Sequence, residues 1–174
     1  MVKRIVSTSF WTDRKVDENM SAEDKYFFLY LITNPYTTQL GIYELPIKQA
    51  AVHLNWSKEN VEVLLERFEN KYGLIKYSKD TGEVAIKNYL LHSIVKGGKP
   101  VMDCLKKEKN RVKDKSLLDY IYSNLMNKYD HLNNTVKDFL NDFGKEAEGG
   151  STHGGNEGNT SKYNPNKFWG IESA

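Results

Sequence analysis

The chain has 174 residues, 39% of them hydrophobic and 28% charged, with a formal net charge of +2 and a single cysteine, Cys104. One domain with an appendage, or two very small domains, fits that length, and a core of this size needs neither metal nor cross-links to fold. The lone cysteine excludes an internal disulfide and a cysteine-built zinc site, no apolar run approaches the ~20 residues of a membrane span, and the polar start Met1-Val2-Lys3-Arg4 carries no signal core, so a cytoplasmic protein is expected.

Residues 1–20 carry an apolar cluster (Ile5, Val6, Phe10, Trp11) in a mixed segment and read as an extended arm that packs against something. Ser21 with Asp24 is a capping-box-like start. The helix that follows, Glu23 to Thr33, is apolar on nearly every side, which predicts burial all round, part of it against a second copy through residues such as Phe27 and Tyr30. Asn34-Pro35 ends it. A short strand is expected at Leu40-Gly41-Ile42-Tyr43, then a helix from Pro46 with Ile47, Ala50, Ala51 and Leu54 on one face. Asn55-Trp56-Ser57 is the turn into the next helix, whose stripe is Val61, Leu64, Leu65, Phe68 and Tyr72 and whose stop is Gly73.

Leu74–Tyr77 and Val84–Lys87 flank the turn-rich Lys79-Asp80-Thr81-Gly82 and predict a hairpin. Leu90–Val95 is a short apolar element, and Gly97-Gly98-Lys99-Pro100 reads as a joint where the chain bends freely. Two more helical stripes, Leu117/Leu118/Ile121/Leu125 and Leu132/Val136/Phe139/Leu140/Phe143, predict a helical hairpin over 116–143. From residue 144 the chain is rich in Gly, Asn, Ser and Thr, which predicts a disordered tail over 144–174 that closes on the apolar knot Phe168-Trp169-Gly170-Ile171.

Helix, strand, helix, helix, hairpin is the order of a winged helix-turn-helix. The expected fold is therefore α+β, mostly α: a winged-helix domain over 1–95, a basic linker or helix over 96–115, the helical hairpin and the tail. Phe10-Trp11-Thr12-Asp13, Tyr26–Leu31, Thr33-Asn34-Pro35-Tyr36-Thr37, Gly41–Pro46, Phe68–Gly73 and Lys87-Asn88-Tyr89, in this order, resemble the N-terminal domain of phage and prophage replication proteins related to DnaD. The resemblance covers roughly residues 3–110. It implies a self-associating winged-helix domain that serves replication initiation in a bacterial host, beside a helicase or helicase loader, with Phe10 and Trp11 helping to pair subunits. The longer members add a second, DNA-binding helical domain, which this chain replaces with about 45 residues of helical pattern and the glycine-rich tail.

Charge is unevenly spread. Residues 96–115 carry a net +5, whereas 1–95 balance and 116–174 carry −3. The third helix, where a repressor reads bases, is acidic (Glu59, Glu62, Glu66, Glu69 against Lys58, Arg67, Lys71), and phosphates repel such a face. DNA contact is expected instead from the hairpin and the basic run, through Lys76, Lys79, Lys87, Lys96, Lys99, Lys106, Lys107, Lys109, Arg111 and Lys113 as one positive surface; lysines suit phosphate contact rather than bidentate base reading. His53, His92, His131 and His153 have no metal-ligand spacing, no phosphate-cradling loop is present, and Cys104, despite Lys106 and Lys107, is best read as an idle thiol. No catalysis, cofactor or metal is expected. The leading reading is a non-catalytic oligomeric DNA-binding scaffold for replisome assembly; the alternatives are a protein-interaction adaptor without DNA contact, and a winged-helix transcriptional regulator.

Overall fold

The structure, a computed structural model, describes residues 3–148. The chain is mostly helical around a small antiparallel sheet. Helices α1 (Arg14–Asn19) and α2 (Ala22–Thr33) precede strand β1 (Ile42–Glu44). Helices α3 (Ile47–Leu54) and α4 (Lys58–Asn70) lead into strands β2 (Ile75–Tyr77) and β3 (Glu83–Ile86), and α5 (Tyr89–Ser93), α6 (Lys99–Arg111), α7 (Lys115–Met126) and α8 (Asn134–Glu148) follow. Among the described residues no helix is long and apolar enough to cross a membrane.

Caps set most of the boundaries. Ser21 and Asp24 exchange hydrogen bonds across the first turn of α2 in a full capping box. Ser57 caps α4 and Asp114 caps α7 in the same way, by side-chain oxygens accepting backbone N–H groups. Asn55, in the left-handed region (φ 57°), turns the chain between α3 and α4. The first twenty residues depart from the expected extended arm. Asp13 accepts from the backbone of Lys15 and Val16 and so starts α1, while Thr8–Phe10 form a 3-10 turn. Residues 5–7 lie in a crevice against Ile32, Tyr89 and His92, and Arg4 donates to Gln39 and to the Thr37 carbonyl.

The sheet has the order β1-β3-β2, and register divides its side chains between two apolar clusters. Tyr43, Ile75, Val84 and Ile86 join the cluster of α2 and α4, built on Phe10, Phe27, Phe28, Leu64 and Phe68. Ile42 and Ala85 join the other, built by Leu90, Leu105, Leu117, Ile121, Leu125, Val136 and Phe139. All four β3 residues are consequently buried. Residues 99–148 thus form the second layer over the sheet.

Two carboxylates tie that layer down. Glu83, buried on β3, accepts from the backbone N–H groups of Lys113 and Asp114 at 2.8–3.2 Å. Glu108 on α6 accepts from the backbone of Gln39 and Leu40 at 3.1 and 2.7 Å. The joint at Gly97-Gly98 is held rather than free: Gly98 donates its N–H to Thr135 Oγ1 at 2.9 Å, and a Cβ at Gly97 would lie 1.9 Å from that oxygen. The expected tail boundary at 144 also moves. Helix α8 runs to Glu148, with Gly144 inside it, where a Cβ would lie 2.9 Å from the Tyr122 hydroxyl. The small side chain lets α7 approach there, although glycine is a poor helix former. The remaining tail, with its Phe168-Trp169 knot, lies outside the described residues.

Beneath α2, Asp24 accepts from Arg67 (2.7 Å) and Tyr72 (2.9 Å). Burial raises its pKa, but the hydrogen bonds from Arg67, Ser21 and Tyr72 outweigh burial and leave it below the ordinary aspartate value of 3.8. His92 is pushed down to about 4 by burial, with the Lys128 charge adding to it. Replacing Glu83 by Ala strands the two backbone donors it holds and should lower stability by about 2 kcal/mol or more, read by urea unfolding. Two pH windows are expected. The unfolded chain takes up a proton at His92 before the folded one does, so stability falls as pH drops from about 6.5 to about 4. Asp24 stabilises above 3.8, and its share is lost as pH falls further through its lower folded pKa. His92→Gln should flatten the upper window and Asp24→Asn the lower, in unfolding midpoints measured across pH.

Candidate nucleic-acid interface

The ten cations expected to make one positive surface divide by what the fold does with each. Lys76 sits opposite Ala85 on β2, so its side chain lies on the face covered by α7, half-buried with Nζ 3.3 Å from Ser116 Oγ. Lys87, in the turn just after β3, is also half-buried. Lys113 pairs with Glu44 at 2.8 Å, which raises its pKa. Lys106 pairs with Asp142 of α8 at 2.6 Å, and Lys109 is buried with Nζ 5.4 Å from the centre of the Phe143 ring. Those three cations hold the second layer together. Lys109 is covered because α6 packs on α8, whereas Lys106 and Lys113 keep 46% and 59% of their side chains in water at their pairs.

Seven of the ten are exposed; two of these, Lys106 and Lys113, are paired to carboxylates, and the other five are Lys79 at the hairpin tip, Lys96 before α6, and Lys99, Lys107 and Arg111 on α6. At 100° per residue these last three fall on the side of α6 opposite Leu105 and Lys109, together with Asp103 and Asn110. Lys76, Lys106, Lys109 and Lys113 thus have partners within the fold, while Lys79 lies at the hairpin tip and Lys99, Lys107 and Arg111 lie along α6. Cys104 on the same helix lies 3.6 Å from Glu108, and burial together with that carboxylate raises its pKa, so its thiol stays protonated.

The outward face of α4 carries Glu59, Glu62, Val63 and Glu66, all exposed, with Lys58 paired to Glu62 at 3.1 Å. Arg67 is turned away to Asp24 and Glu69 to the backbone of Tyr77. Anions dominate what solvent sees of this helix.

The four residues expected to pair subunits also separate. Phe10 and Phe27 are wholly buried in the chain's own core, Phe10 against Phe28 and Phe27 against Phe68. Neither can meet a second copy without opening that core. Trp11 is 56% exposed, edge-on to Phe10, and Tyr30 is half-buried. Burial all round α2 also fails on one side: Tyr26 is exposed and packs on Trp56, and Tyr30 and Tyr36 both meet His53, two ring groups that the sequence reading missed. Tyr30 donates to or accepts from His53 Nδ1 at 3.0 Å, and burial, with Tyr36 adding, pushes its pKa up to about 12. The i, i+4 spacing of Tyr26 and Tyr30 was a signal for such a stripe, but its partners, Tyr36 after α2, His53 on α3 and Trp56 after α3, meet it only in space.

Phe10→Ala should cost about 3–5 kcal/mol, the range for emptying a buried aromatic site, while Trp11→Ala should leave unfolding nearly unchanged; thermal unfolding of both variants checks this. Compared with family models, with curated proteins and with solved structures, the chain has no match in any of the three.

Proposed function

We propose that this chain is a non-catalytic, self-associating winged-helix scaffold that holds DNA by its phosphates during replication initiation, as the resemblance to DnaD-related phage proteins implies. The observation that carries the reading is the element order α2-β1-α3-α4-β2-β3 with β1 laid beside β3, a helix-turn-helix whose following hairpin completes a three-stranded sheet. In this reading the hairpin is the wing. Lys79 at its tip and Lys99, Lys107 and Arg111 on α6 supply mobile cations of the kind that neutralise phosphates without reading bases. The anionic face of α4 favours this over a repressor that reads the major groove with its third helix. Trp11 and Tyr30 are the two pairing residues with surface to offer a second copy, and a helicase or its loader is the protein partner such assembly work requires.

Salt-dependent DNA binding tests the proposal. Replacing Lys99, Lys107 and Arg111 together by Gln should weaken binding and flatten the plot of log K against log salt by about two to three units, roughly 0.9 per lost phosphate contact on duplex DNA. Unchanged affinity at low salt would remove α6 from the interface, and no binding by the unaltered chain would leave the adaptor reading in its place.

A further inference from the structure

A second surface, on the other side of the sheet from α6, belongs to none of the above. Arg67 near the C-terminal end of α4 pairs with Asp24 near the start of α2, and Trp56, just before α4, packs edge-on to Tyr26 at 5.6 Å. The two contacts bracket Val63, which is 53% exposed on the edge of α4 nearest α2. Tyr26 and Val63 are thus exposed on the α2–α4 side with Trp56 half-buried against Tyr26, and Glu59, Glu62 and Glu66 are exposed on α4 beside Val63. Exposed aromatic surface beside a row of like charges is the composition of a protein-binding face, not of a solvated helix. Its occupant must offer large apolar side chains together with cations.

The chain itself carries such a segment. Lys162, Tyr163, Lys167, Phe168, Trp169 and Ile171 combine two cations with four large apolar side chains, with Glu172 as the only acid nearby. Between Glu148, where α8 ends, and Lys162 there are fourteen residue steps, enough to span about 45 Å. A domain of this size has a radius of gyration of about 15 Å, so the segment reaches either face of its own molecule. Left in water, Phe168 and Trp169 expose apolar surface worth about 25 cal/mol per Å² once buried.

We propose that residues 162–171 dock in cis on the α2–α4 side, Phe168 and Trp169 against Tyr26, Trp56 and Val63, with Lys162 and Lys167 against the α4 glutamates. The inference is independent of DNA binding, because it uses neither α6 nor the hairpin.

Cross-linking in the full chain tests it. In a Cys104→Ser background, Val63→Cys combined with Ile171→Cys should give a product of single-chain mass with a short bismaleimide. The same chain with Lys107→Cys in place of Val63→Cys, on the opposite layer, should give at least several-fold less. Glu59→Lys, Glu62→Lys and Glu66→Lys together, or Phe168→Ser with Trp169→Ser, should each lower the yield several-fold. The cysteine positions on the described domain are exposed and should leave unfolding midpoints unchanged, whereas the charge reversal breaks the Lys58–Glu62 pair and sets cations in the first turns of α4, so its midpoint should fall modestly while the transition stays cooperative, which serves as its control for folding. Equal yields at positions 63 and 107, a yield indifferent to the charge reversal and to the aromatic replacement, or a product of two-chain mass would each overturn the proposal.

Discussion

Strand β3 places a carboxylate where the sheet should least tolerate one. Register sets Glu44 directly opposite Glu83, two like charges on one face of an antiparallel pair, which by itself is destabilising. The segment between α6 and α7 removes the penalty. Lys113 and Asp114 turn their backbone N–H groups onto Glu83, and the Lys113 ammonium takes Glu44. Helix α6 ends and α7 starts at that junction, while Glu108 and the Gly98–Thr135 hydrogen bond tie α6 and α8 separately. The sheet is consequently covered on both faces, which is why a strand of four residues has no exposed side.

The same junction decides what the basic segment does. Counted along the chain, residues 96–115 are a block of positive charge. Folded, the block is a helix with two sides. One side gives Lys109 to the Phe143 ring, and Lys106 beside it goes to Asp142, so two cations hold α6 against α8. The other side keeps Lys99, Lys107 and Arg111 in water. Half of the charge is structural, and only the remaining half is available to a phosphate backbone. Exposed ion pairs contribute about 0–1 kcal/mol each, so the packing of Leu105, Val136 and Phe139 dominates this layer and the pairs fix its register.

The opposite layer is divided in another way. Its interior is aromatic, with Phe10, Phe27, Phe28 and Phe68 in mutual contact, and its exterior carries a second set of rings, Tyr26, Tyr30, Tyr36 and Trp56. Helix α2 contributes to both sets, Phe27 and Phe28 to the first and Tyr26 and Tyr30 to the second. Helix α2 is nearly uniform in hydropathy, so nothing in its periodicity separates core from surface. The separation comes from where α3 and α4 lie, since α4 takes Phe27 and Phe28 while α3 leaves Tyr26 and Tyr30 at an edge.

Much of the local structure was legible in the residues: the Ser21–Asp24 box, the stop at Asn34-Pro35, the Asn55-Trp56-Ser57 turn, the α4 stripe and the hairpin are each written in short-range chemistry. Capping, proline sterics and amphipathic period act within a few residues, so sequence alone determines them. What tertiary structure decided were the matters of distance. It buried Phe10 and Phe27 in the core, turned Lys76 toward α7, paired Lys106 and Lys113 with carboxylates 36 and 69 positions away, and continued α8 through Gly144 because Tyr122 fills the space a side chain would need. A charge count or a hydropathy stripe is blind to the partner that neutralises or covers a side chain, and in this fold that partner most often lies on the far side of a three-stranded sheet or on a helix two elements away.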